Sequence, residues 1–135
     1  MSILADTSGL LALLDKKSRY YQPALAYVNQ LIIPAPVITE LDYLATKLLG
    51  ARVLNTFYES LLKGDMHFLA VDIMDVARAY EIMTIYADTP IGFVDASIVA
   101  LAERHKIRQV LTLDRRHFTM FRPRGLGYLE LLPTL

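Results

Sequence analysis

The pattern of apolar runs along this chain predicts an α/β fold, a parallel sheet covered by helices on both faces. Two observations carry that expectation. Short apolar runs that read as buried strands alternate with longer segments whose apolar residues recur at helical spacing. No repeat, low-complexity stretch or linker divides the 135 residues, a length that suits a single domain over 1–135. In such sheets ligands sit beyond the carboxyl ends of the strands. Residues at the strand-to-helix junctions are therefore the first to weigh for chemistry.

Taken in order, Ser2 to Ala5 reads as a strand, and Asp6 stands where it could cap the helix that follows. After a polar turn at Asp15 to Ser18, Tyr20 to Leu31 reads as helical. Leu31 to Ile33 is a brief buried strand ended by Pro34-Ala35-Pro36, and Pro36 suits the first turn of the next helix. That helix runs to about Leu49 and stops at Gly50; a second, Ala51 to Lys63, stops at Gly64. Phe68 to Val71 is another short strand. Asp72 looks like an N-cap, with Ile73, Val76, Ala77, Tyr80 and Met83 at helical spacing behind it. Thr89-Pro90-Ile91-Gly92 breaks this helix, and Asp95 opens an alanine-rich one through His105. Gln109 to Leu113 is a buried strand, a basic loop follows, and Tyr128 to Leu132 reads as a last edge strand.

Composition narrows the classes. The chain is 54% hydrophobic, enough for a sizeable core. No apolar run approaches the ~18 residues of a membrane span, so no membrane partner is expected. Met1 to Asp6 has no basic segment, which argues against a signal peptide. The absence of cysteine excludes disulfides and thiolate metal sites and fits a cytoplasmic location. With three scattered histidines, it also argues against zinc. Net charge is zero, so no global field favours nucleic acid. Yet seven of the fourteen Lys and Arg lie between Arg104 and Arg124, with Asp114 the single acid among them. That stretch is either a phosphate-backbone contact or ordinary charge clustering on a solvated surface.

Four acids stand in short, recognisable settings: Asp6 in Leu-Ala-Asp-Thr-Ser, Glu40 in Ile-Thr-Glu-Leu, Asp95 in Gly-Phe-Val-Asp-Ala-Ser, and Asp114 in Leu-Thr-Leu-Asp-Arg-Arg-His-Phe. If they converge, they form an all-oxygen pocket of high negative charge, which a hard divalent cation such as Mg²⁺ or Mn²⁺ would relieve. Each has a bland alternative: a cap for Asp6 and Asp95, a turn or surface ion pair for Asp114. Glu40 is more informative. Val37, Leu41, Leu44 and Leu48 form an apolar stripe at 100° per residue; Glu40 borders it while Asp42 points away. A carboxylate at the edge of a buried face is costly unless paired or metal-bound; the bland alternative is that Glu40 snorkels to solvent or pairs with Lys47.

Asp88, at the negative end of a helix dipole, is a possible accessory ligand. Ser8 and Ser97, each two residues after an aspartate, can fix that carboxylate or simply satisfy a helix N-terminus. Thr112 could orient Asp114 in the same way. His105 and His117 have no second histidine or serine nucleophile nearby in sequence, and they read as ordinary surface residues rather than general bases.

Taken together, these segments resemble the PIN domain, and within it the VapC-type ribonuclease toxins of type II toxin–antitoxin pairs. The resemblance covers nearly the whole chain. It runs from Asp6-Thr7-Ser8, through Glu40 early in a helix after a Pro-containing turn, to Gly92-Phe93-Val94-Asp95-Ala96-Ser97 and Thr112-Leu113-Asp114-Arg115-Arg116-His117-Phe118. It implies a three-layer α/β/α fold around a short, mostly parallel sheet. It implies a Mg²⁺- or Mn²⁺-dependent endoribonuclease that hydrolyses RNA phosphodiester bonds through a metal-activated water. Asp6, Glu40, Asp95 and Asp114 match the family's acidic positions, Ser8 and Thr112 the small polar residues beside the first and last, and Asp88 a less constant acid. The resemblance further implies a homodimer and a cognate antitoxin whose tail fills a hydrophobic groove. From charge alone, Arg115 and Arg116 are expected to hold flanking RNA phosphates. Two other readings stay open: a PIN nuclease of RNA processing or decay, and a non-catalytic scaffold or RNA-binding module.

Overall fold

The computed structural model describes residues 1–134. Five strands, β1 (Ile3–Ala5), β2 (Leu31–Pro34), β3 (His67–Leu69), β4 (Gln109–Leu111) and β5 (Glu130–Leu132), form one sheet in the order β3-β2-β1-β4-β5. Every neighbouring pair is parallel. β1 sits at the centre, with Leu4 opposite Ile32 on one side and Val110 on the other. Its three residues are all buried, as both faces of a parallel sheet must be when helices cover them.

The helices are α1 (Thr7–Leu14), α2 (Tyr21–Leu25), α3 (Ala35–Leu49), α4 (Ala51–Lys63), α5 (Ile73–Ile85), α6 (Phe93–His105) and α7 (Arg115–Phe118). They pack as two groups, α1 to α4 on one another and α5 on α6, giving the α/β/α layering. No helix among the described residues is long and apolar enough to cross a membrane.

Most predicted elements appear, and the departures have local causes. The stretch expected as one helix over 20–31 is α2 followed by a 3₁₀ turn, Val28–Gln30. Val28 and Asn29 are both weak helix formers. α6 begins at Phe93 with Gly92 at its N-cap, so Asp95 lies inside the first turn rather than opening it. β4 ends at Leu111, two residues early, because side chains take over the amides: Leu113 donates to Ser8 Oγ and Asp114 to Thr112 Oγ1, both at 2.9 Å. The basic loop contains α7, capped by Asp114 and anchored by the fully buried Phe118. The apolar stripe of α3 is Val37, Leu41 and Ala45, whereas Leu48 is exposed.

α5 is tied to α6 by two forked ion pairs. Arg78 grips Glu103 at 2.8 and 3.0 Å, and Arg104 grips Asp75 at 2.8 Å twice. Asp72 and Asp75 also form a reciprocal capping box at the start of α5.

The strand order fixes where a site can form. From β1 the chain moves outward through β2 to β3, then returns to place β4 on the other side of β1. A crevice therefore opens beyond the carboxyl ends of β1 and β4, where the order reverses. The Asp6 amide donates to Leu111 O across it at 2.9 Å. Gly9 lets α1 approach that closely: a Cβ there would lie 2.4 Å from Leu111 O, which is backbone and cannot swing aside.

Candidate metal centre beyond the central strands

Asp6 leaves β1 at its carboxyl end and occupies the N-cap position of α1, yet its side chain makes no cap hydrogen bond. Instead Oδ2 accepts from Ser8 Oγ at 2.9 Å and from Thr112 Oγ1 at 2.8 Å. The same two hydroxyls accept the amides of Leu113 and Asp114. Ser8 and Thr112 thus lock the first acid to the end of β4 and set the path of the chain into the last. Thr112 holds Asp114 by its backbone and Asp6 by its carboxylate, whereas the sequence pointed to Asp114 alone. Ser97 does not reach Asp95: its hydroxyl donates to Val94 O at 2.7 Å within α6.

Asp95 and Asp114 come together around a residue that the sequence reading set aside. Nδ1 of His117 lies 3.3 Å from Asp95 Oδ2 and 3.4 Å from Asp114 Oδ2. One donor atom from each of the three residues falls within 4.8 Å of the others. The short helix α7 makes this possible. Asp114 Oδ1 accepts the His117 amide at 3.3 Å, and Phe118 packs edge-on to Phe121. The signal in sequence was the spacing of Asp114 and His117, three apart as in a cap and its third helical residue.

Glu40 is exposed on α3, with no ion pair to Lys47 among the described residues, and its charge is felt at Asp6. Asp42, on another face, accepts from Tyr58 of α4 at 2.6 Å. Asp88 is exposed in the turn after α5, outside the group formed by Asp95, Asp114 and His117.

The acids form one electrostatic unit. Burial pushes the Asp6 carboxyl above its ordinary range; the Thr112 and Ser8 hydroxyls pull it back, and the charge of Glu40 adds to the rise. Asp95 is pushed up to about 6. Burial is the main cause, followed by the charge of Asp6; contact with His117 opposes it and the charge of Asp114 reinforces it. No Lys or Arg reaches these carboxylates through an ion pair among the described residues. Carboxylate oxygens with one imidazole nitrogen, half-buried and short of positive charge, suit a divalent cation.

Most arginines of the basic stretch, though exposed or half-buried, are already engaged by neighbouring groups. Arg104 pairs with Asp75, Arg108 donates to Leu126 O, Arg122 to the carbonyls of Thr119, Met120 and Phe121, and Arg124 lies beside Glu81. Arg115, expected to meet phosphate, donates to Leu131 O and Pro133 O and ties α7 to the end of β5. Arg116 is exposed and its side chain has no partner among the described residues.

Known proteins share this chain's sequence pattern and fold. The family model for the PIN domain matches residues 3–121. Ribonuclease VapC26 of Mycobacterium tuberculosis is 33% identical over 97% of this chain and its own full length. Among solved structures, Mycobacterium tuberculosis VapC20, a toxin that cleaves the sarcin–ricin loop, superposes with a TM-score of 0.76 at 20% identity, over 85% of this chain and 92% of its own. The DNA-bound VapBC complex of Salmonella typhimurium gives 0.70 at 21%, over 97% and 98%.

Proposed function

The chain belongs to the PIN-domain family, and within it to the VapC ribonucleases; from that premise we propose that it is a metal-dependent endoribonuclease, the toxin of a VapBC-type pair. The observation that supports the proposal is the cluster of Asp95, Asp114 and His117, with the charge of Asp6 felt at Asp95, that of Glu40 felt at Asp6, and no Lys or Arg paired with them among the described residues. The four acids would hold Mg²⁺ or Mn²⁺, with Asp88 standing apart. When bound, such an ion supplies Lewis acidity at a phosphoryl oxygen and acidifies water. The chain's own contribution is rigidity and exposure. Ser8 and Thr112 hold Asp6 in one orientation at the buried floor. Glu40 stands at the exposed rim, where RNA and solvent arrive. Arg116, exposed two residues after Asp114, would meet a flanking phosphate, a role Arg115 gives up to its carbonyl contacts.

An antitoxin partner fits an apolar groove among α1, α3 and α4. A cavity of about 710 Å³ lined by Leu13, Leu14, Tyr21, Leu49 and Val53 shares Asp15, Leu48 and Leu49 with one of about 470 Å³ that reaches Ser8 and Leu113. A tail lying there would end beside the acids. A homodimer is supported by the exposed Ile73, Met74, Tyr80 and Ile85 of α5. The whole chain acts as one PIN domain in the cytoplasm.

The test is incubation of antitoxin-free protein with total cellular RNA and Mn²⁺, beside EDTA and an Asp95→Asn variant. The proposal predicts discrete cleavage that both controls abolish. Cleavage that persists in both would reject it, and absence of cleavage by folded protein would favour a binding role.

A further inference from the structure

The sequence leads to an all-oxygen pocket, and the fold adds a nitrogen. We propose that His117 is a ligand of the metal centre through Nδ1, and that it tilts the centre away from Mg²⁺ towards Mn²⁺. This rests on the reading that the acids hold a divalent ion.

Three observations support it. First, the ring nitrogen lies against two carboxylates from different elements, Asp95 of α6 at 3.3 Å and Asp114 at the start of α7 at 3.4 Å. As hydrogen bonds these contacts are long, because charge-assisted N–H···O bonds run about 2.7–2.9 Å and one hydrogen shared between two oxygens aligns well with neither. As neighbouring ligands they are well spaced. Donors about 2.0–2.2 Å from one cation and at right angles to each other lie about 3 Å apart. A move of a few tenths of an ångström would close the set.

Second, the ring is held in place by structure. Asp114 Oδ1 takes the His117 amide, which leaves Oδ2 as the oxygen nearest the ring, and Phe118 seats α7 in the core. A side chain on a four-residue helix would otherwise be poorly fixed; here backbone and neighbour are both tethered.

Third, beside Asp95 the ring takes the place that an arginine fills at Asp75 and Glu103. Asp75 and Glu103 each have an arginine fork. Asp95 has His117, whose nitrogen can present a lone pair as an arginine cannot. Imidazole is a ligand preferred by first-row transition ions, whereas Mg²⁺ favours oxygen and sheds water reluctantly. One nitrogen among carboxylates should therefore raise Mn²⁺ affinity relative to Mg²⁺.

Electron paramagnetic resonance on the apo protein with Mn²⁺ tests this without any nuclease assay. Free-ion signal gives the affinity, competition with Mg²⁺ gives the selectivity, and spin-echo modulation reports directly bound nitrogen. Wild-type protein is expected to show imidazole coupling. His117→Ala should lose that coupling and about tenfold or more in Mn²⁺ affinity, with a smaller loss for Mg²⁺. His117→Gln, which keeps a polar side chain there, controls for loss of structure and should bind Mn²⁺ without imidazole coupling. Mn²⁺ that is displaced by Asp95→Asn but shows no nitrogen coupling in wild type, with unchanged selectivity in His117→Ala, would overturn the ligand role and leave the acid site intact. Wild-type protein that binds no Mn²⁺ would overturn both.

Discussion

Two groups of partly or wholly buried carboxylates occupy this small fold, and they are treated in opposite ways. Between α5 and α6, Asp75 and Glu103 each meet an arginine fork. Burial pushes both carboxyls up, but the hydrogen bonds and charges of Arg104 and Arg78 outweigh it and hold both below the ordinary range. Beyond β1 and β4, burial pushes Asp6 and Asp95 up and no arginine answers it. Hydroxyls, one imidazole and the neighbouring acids are the company there. Burial alone does not separate a structural acid from a functional one; the partner does. This chain has arginines close by and folds them onto Asp75, Glu103 and backbone carbonyls, which leaves the crevice negative.

That contrast can be broken from either side. The largest effect is expected at the crevice: Asp95→Asn should cut RNA cleavage by at least about 100-fold, since even residues behind a metal ligand cost 10–100-fold. Initial rates of cleavage at saturating Mn²⁺ check this. At the ion-pair layer the effect falls on stability. Arg78→Met should cost about 3 kcal/mol in a urea titration, because it leaves Glu103 with the Arg124 amide as its one remaining hydrogen-bond donor; adding Glu103→Leu should recover part of the loss. Gly9→Ala tests the strand junction. Its methyl group would meet Leu111 O, so a loss of about 1–3 kcal/mol and weaker Mn²⁺ binding are expected together. Thr112→Val is milder, about 1–2 kcal/mol, as the Asp114 amide and the Asp6 carboxylate each lose a partner.

The two groups should also answer pH with opposite sign. Asp95 titrates near 6 when folded and near the ordinary ~3.9 when unfolded, so the folded state holds that proton more tightly. Its contribution to stability is full below about pH 4 and is lost as pH rises through about 6; Asp6 acts in the same direction. Asp75 and Glu103 contribute above the ordinary carboxylate range and lose that contribution as pH falls towards their lower folded values. Stabilisation by Mn²⁺ should weaken below about pH 6, where Asp95 keeps its proton. Unfolding midpoints from pH 4 to 8, with and without Mn²⁺, measure both trends.

Much of the crevice was legible in the sequence because it follows from chain order. Asp6 and Asp114 end apolar runs, and the strand order brings those ends together. The amphipathic stripe of α3 marked Glu40, although Ala45, not Leu48, completes its buried side. For His117 the spacing from Asp114 was visible, but its meaning was not, because that depends on a four-residue helix and on Asp95 arriving from another element. The fate of the basic stretch was hidden for the same reason. Apart from the carbonyls next to Arg122, its partners, Asp75, Glu81, Leu126 and Leu131, are distant in sequence, and clustering along the chain says nothing about which cations are already engaged. Ser97 shows the limit of local pattern: the Asp-x-Ser spacing that positions Asp6 recurs at Asp95, yet there the hydroxyl turns back onto its own helix.

Thermal unfolding of apo wild-type and Asp95→Asn proteins at pH 7.5, each with and without Mn²⁺, tests most directly that the crevice is a cation site left uncompensated. The account predicts that the variant melts above the wild type without metal, having shed a repelled charge, and that Mn²⁺ raises the midpoint of the wild type alone. A variant no more stable than wild type, with an equal response to Mn²⁺, would contradict it.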